Sequence, residues 1–161
     1  MRDHRHNWSH MKKLFLILAF VFLAGCATTN MPSYLQPKKP YIKRYYSNYE
    51  KTLPTVKTTL AELGWILEES TDPGVYEHTR FNELDENQLL LVTAVRPTPM
   101  LVGTRYARMN IYLRSKKDIS EVEVRYLTTT STALNNFSTY NNDGAVKRFF
   151  VRLDEILPPV K

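Results

Sequence analysis

Tyr106-Ala-Arg-Met-Asn-Ile-Tyr-Leu-Arg114 and Glu121-Val-Glu-Val-Arg-Tyr126 decide how this chain folds. In the first run Ala107, Met109, Ile111 and Leu113 alternate with Tyr106, Arg108, Asn110, Tyr112 and Arg114. In the second, Val122, Val124 and Tyr126 alternate with Glu121, Glu123 and Arg125. A period of two is the side-chain repeat of a β-strand with one apolar and one polar face. A hairpin turning at Lys117-Asp118 sets Leu113 opposite Val122, Ile111 opposite Val124 and Arg114 opposite Glu121. Cross-strand charge pairs of this kind contribute roughly 0.2–1 kcal/mol each, which controls register more than stability. One face of the hairpin is expected to be core and the other to meet solvent.

Upstream of the hairpin, Gln88–Arg96 is apolar enough for a central strand. Trp65–Ser70 and Val75–Phe81 read as two further strands, joined by Thr71-Asp72-Pro73-Gly74, whose Pro-Gly order suits a type II turn. The connection from Pro97 to Thr104 carries prolines that a strand would accept only by losing ladder bonds. Its Met100, Leu101 and Val102 either fold back over the sheet edge or present an apolar knob to a partner or a membrane. Downstream, Thr128–Tyr140 is polar and reads as irregular.

Two helices bracket the strands. Leu53, Val56, Leu60 and Leu63 recur at helical spacing and predict a helix over 47–63. Ser47 and Glu50 form a capping-box pattern at its start, and Gly64 suits its C-terminal cap. Pro54 must kink this helix or mark its true beginning. A second stripe of Val146, Phe149, Phe150, Leu153, Ile156 and Leu157 predicts a helix over 142–157, closed by Pro158-Pro159. The expected fold is therefore α+β: a two-layer sandwich of about five antiparallel strands with two helices on one face, in the order α-β-β-β-β-β-α.

Helix, Leu63-Gly64-Trp65, strand, Asp72-Pro73-Gly74 and strand follow one another over Val56 to Tyr76. That order resembles the small α/β domains of bacterial envelope lipoproteins, such as those of the C component of the outer-membrane barrel-assembly machinery. The resemblance implies a binding or scaffolding module and carries over no functional residue.

The amino-terminal sequence points to the same compartment. Lys12 and Lys13 precede an uncharged run from Leu14 to Ala24, 11 residues long. That length is within the ~7–15 residues of a signal-peptide core and short of the ~20 residues of a spanning helix. The run closes on Leu23-Ala24-Gly25-Cys26, which resembles the lipobox of bacterial lipoproteins. The resemblance implies cleavage before Cys26 and a thioether-linked diacylglycerol on its thiol. With Ala27 rather than aspartate next, it also implies sorting to the periplasmic face of the outer membrane. Residues 1–25 read as the signal peptide, with Met11 as a possible true start. Residues 26–46 read as a lipidated, proline-rich tether (Pro32, Pro37, Pro40), and 47–161 as one domain. Lys38, Lys39, Lys43 and Arg44, interleaved with Tyr41, Tyr45 and Tyr46, either meet anionic headgroups or a partner groove, or form a solvated spacer whose last tyrosines pack on the domain.

Composition excludes several classes of function. The full chain of 161 residues has 22 basic and 16 acidic side chains. The leader holds four of the bases and one of the acids, which leaves the mature chain at +3, too mild for a nucleic-acid footprint. Cys26 is the only cysteine, and the sole histidine beyond the leader is His78. A nucleophile–base pair or a zinc site therefore lacks its residues. Glu83, Asp85 and Glu86 lack the ligand spacing of a calcium loop, and the glycines are too scattered to cradle a phosphate. The expectation is a non-enzymatic binding or assembly module, without cofactor or metal, anchored through Cys26 and engaging an envelope protein. The alternatives are a cell-wall hydrolase or its accessory, and a carrier of small apolar ligands. The candidate contact surfaces are Met100, Leu101 and Val102 in the loop, and Arg108 with Tyr112 on the polar sheet face.

Overall fold

The structure, a computed structural model, describes residues 30–77, 87–132, 135–140 and 143–160. Its elements are β1 (Tyr41–Tyr45), α1 (Tyr49–Glu62), β2 (Leu67–Thr71), β3 (Asn87–Thr93), β4 (Arg96–Met100), β5 (Gly103–Lys116), β6 (Ile119–Ser131), β7 (Asn136–Thr139) and α2 (Asp143–Asp154). The fold is α+β, with an antiparallel sheet of seven strands, two more than the sequence pattern predicts.

The long β5–β6 hairpin is the axis. Its register is the expected one: Leu113 faces Val122, Ile111 faces Val124 and Arg114 faces Glu121. On one side β5 pairs with β3, which pairs with β2, and β4 continues along the same edge of β5. On the other side β1 and β7 share the edge of β6. Both helices pack on the apolar face. Val56 and Leu60 of α1 and Val146, Phe149 and Leu153 of α2 join Met109, Ile111, Leu113, Val122 and Val124 in one buried cluster.

The helix ends show how local chemistry fixes boundaries. α1 is capped by Asn48, not Ser47: the Asn48 side chain accepts the Lys51 amide at 3.1 Å. Ser47 is drawn into the core instead, where its carbonyl accepts the Ser120 hydroxyl at 2.7 Å. At the far end Trp65 N–H reaches the Leu60 carbonyl (2.8 Å) and Gly64 N–H the Ala61 carbonyl (2.9 Å), with Gly64 at φ 74°. That is a Schellman cap. The helix runs through Pro54, which sits on its exposed face where water can serve the orphaned Glu50 carbonyl. α2 stops at Asp154, so Ile156 lies outside the stripe and is exposed.

Four expectations change. The stretch from Pro97 is not a loop. Residues 96–100 form β4, and an edge strand tolerates Pro97 and Pro99 because every second N–H there faces away from the ladder. Thr128–Ser131 extends β6, and Asn136–Thr139 adds β7 to it. Pro73–Val75 is a single 3-10 turn capped by Asp72, so the strand expected to begin at Val75 does not begin there. His78 and the rest of that expected strand as far as Phe81, with Glu83, Asp85 and Glu86 beyond it, lie outside the described residues.

The fourth change reaches furthest. The stretch expected to be a spacer is part of the domain from Met31 onward: Met31 and Leu35 are buried, and 41–45 is a strand. Residues 31–35 strap the polar face of the sheet, so that face is not solvated. Arg108, Asn110, Tyr112, Glu123 and Arg125 are all buried.

Candidate functional site

Under the strap lies a charged cluster centred on Arg125. Strand periodicity points Glu123 and Arg125 of β6, and Arg108, Asn110 and Tyr112 of β5, to the face away from the helices. The Arg125 side chain is 2% exposed and that of Glu123 is 0% exposed, with Nε to Oε1 at 2.7 Å. Arg125 Nη1 lies 2.9 Å from Glu77 Oε1 and donates to the Tyr34 hydroxyl (2.8 Å) and the Leu35 carbonyl (3.2 Å). Its guanidinium also stands over the rings of Tyr34 and Tyr112, 5.3 and 5.8 Å from their centroids. Tyr34 stacks on Tyr76 at 4.8 Å and donates to Glu77. Nearer the strap's start, Asn110 Nδ2 donates to the Ser33 carbonyl at 2.9 Å, and Arg108 Nη2 pairs with Glu68 at 2.8 Å.

Burial alone would depress the Arg125 pKa. The hydrogen bond to Glu77 and the charge of Glu123 outweigh it and hold the guanidinium above its ordinary range. The strap is thus fastened by charge-assisted bonds to its own backbone and by stacked tyrosines, and it closes over Arg108 and Tyr112. Those two residues, expected on an open surface, are held inside. No partner reaches them while the strap is seated.

Met100, Leu101 and Val102 stand at the opposite extreme. They form the tip of the β4–β5 hairpin, with Met100 facing Gly103. Leu101 is fully exposed and Val102 is 66% exposed. A tip of this kind ordinarily takes polar turn residues. Gly103 makes it possible: its φ is 102°, and a Cβ placed there would lie 2.0 Å from the Ser131 carbonyl oxygen. Phe137 of β7, opposite Thr130 near the same end, is 61% exposed. Farther along the hairpin, exposed Arg96, Arg105 and Arg148 lie close enough to Tyr126 to act on its phenol, and Arg96 Nη1 donates to the Leu63 carbonyl at 3.1 Å. Burial pushes the Tyr126 pKa up against their combined pull.

The other end of the hairpin is charged. An open groove of about 730 Å³ runs beside the 117–118 turn, lined by Arg44, Arg114, Lys116, Lys117 and Glu121 together with Val160. Arg44 and Arg114 both pair with Glu121. Among the described residues no group of histidine, cysteine, aspartate and glutamate is placed to hold a metal ion, and no helix is long and apolar enough to cross a membrane.

No protein-family model matches the chain, and no curated protein is significantly similar to it.

Sequence reasoning located the apolar tip by its misplaced Met-Leu-Val. It missed Tyr34, Leu35, Glu77 and Glu123 as partners of one cluster. The one signal for that cluster was the alternation of aromatic with charged residues on a face read as solvated.

Proposed function

We propose that this protein is a non-enzymatic, lipid-anchored lipoprotein of the outer membrane, a binding or assembly module held at the periplasmic face through Cys26. The leader and its Leu23-Ala24-Gly25-Cys26 ending support the anchor. The observation that carries the reading is the strap. The domain takes hold of its own chain at Met31, five residues after Cys26, by burying Met31 and Leu35 against Leu127. A chain that is only to be released from its leader has no need of so short and so firmly fastened a leash. The module's contact surface is the hairpin tip, where Leu101 and Val102 spend exposed apolar area that folding does not use.

Metabolic labelling with palmitate and fractionation of the envelope test this reading. Wild-type protein takes up label and sediments with outer-membrane markers. Cys26→Ser is unlabelled and leaves the membrane fraction, yet its domain melts as wild type does. Label that persists in Cys26→Ser, or wild-type protein that is never labelled, overturns the anchor.

A further inference from the structure

Met31, where the strap begins on the sheet, is anchored within reach of the hairpin tip. Asn110 binds the Ser33 carbonyl, and Met31 joins Leu35 and Leu127 in a buried cluster against which Tyr106 and Val95 pack. Leu127 pairs with Arg108, so this cluster sits in the half of the β5–β6 hairpin nearer the tip. From Tyr106 to Val102 the strand climbs four residues, about 13 Å at a strand's rise. From Met31 to Cys26 the chain has five residues, which span at most about 18 Å. Cys26 can thus stand level with the tip. The opposite turn at Lys117 lies eleven residues from Tyr106, about 36 Å along the strand, beyond the leash.

We propose that the Leu101–Val102 tip inserts into the headgroup–acyl boundary of the same bilayer that holds the Cys26 lipid. The inference rests on the anchor reading above and names what the tip touches. The chemistry fits a lipid surface. Two branched apolar side chains, Leu101 and Val102, stand exposed at the end of a two-stranded arm, and the exposed Arg105 follows three residues after Val102 on β5, where it could meet anionic headgroups. At the far end of the hairpin the 117–118 turn carries Arg114, Lys116, Lys117 and Asp118 beside the exposed Ile119. The groove lined by Arg44, Arg114, Lys116 and Lys117 then faces away from the bilayer, open to periplasmic partners.

Full-length Leu101→Trp and Ile119→Trp proteins, purified from membranes and placed in phosphatidylethanolamine–phosphatidylglycerol vesicles with brominated acyl chains, test this. Both positions are exposed, and the native Trp65 is buried and contributes the same background to each. The tip tryptophan should lose most of its emission to bromine and shift to the blue, while the tryptophan at 119 keeps its emission. Palmitate labelling of the same preparations separates the two readings. Labelled protein whose tip tryptophan is unquenched overturns membrane insertion and leaves the anchor standing. Absence of label overturns both. Equal quenching at 101 and 119, or a labelled protein whose unquenched tip crosslinks to another envelope protein, also overturns insertion.

Discussion

Replacing Arg125 by methionine keeps the apolar bulk of the side chain and removes its charge. In the wild type the guanidinium is the counterion of Glu123, which is fully buried, and of Glu77, and it also holds the Tyr34 hydroxyl and the Leu35 carbonyl. Breaking a buried ion pair from one side costs about 3–5 kcal/mol, and because Glu123 keeps Arg114 Nη2 at 3.9 Å the expected loss lies toward the lower end of that range. For a domain of this size that corresponds to a fall of roughly 10–20 °C in melting temperature. Urea unfolding of the unacylated Cys26→Ser chain, with and without Arg125→Met, measures it. Adding Glu123→Gln to Arg125→Met should restore part of the loss, since the buried carboxylate that lost the Arg125 counterion is then removed. A loss below about 1 kcal/mol, the value of a solvent-exposed pair, would refute the account. The cluster would then be wet and the strap not seated.

Gly103→Ala should destabilise the hairpin by more than the usual glycine-to-alanine effect, because the new methyl group meets the Ser131 carbonyl oxygen and φ is positive. A melting temperature equal to wild type would show that the close approach is absent. Tyr45→Phe tests a pH effect. Burial, reinforced by the charge of Asp154 and a hydrogen bond to it at 3.0 Å, raises the Tyr45 pKa above its ordinary value near 10. The folded state thus favours the neutral phenol. Its contribution is complete below the unfolded pKa and is lost as pH rises above it. Wild-type stability should therefore fall more steeply than that of Tyr45→Phe on the alkaline side, and parallel alkaline limbs would contradict this.

The hairpin was legible because thirteen β5 pairings repeat one alternation, and a one-residue slip would turn every apolar side chain outward. The helix stripes were legible for the same reason at a period of 3.6. The strap was not. Met31, Tyr34 and Leu35 follow neither period, and Pro32, Pro37 and Pro40 argue for a spacer even though an extended segment is what a strap requires. β4 was hidden by Pro97 and Pro99, whose cost depends on whether the strand is central or at an edge, which is a property of the sheet. The polar face misled in a similar way. Glu123 and Arg125 read as solvated singly, and only the fold brings Glu77, Tyr34 and Tyr112 around them to make burial tolerable.

The central claim is that Cys26 carries the lipid and begins the mature chain. Intact-mass and amino-terminal peptide spectrometry of protein extracted from membranes tests it most directly. The account predicts a first residue of Cys26 bearing a diacylglyceryl thioether. A mature chain that begins elsewhere, or a Cys26 with an unmodified thiol, would contradict it.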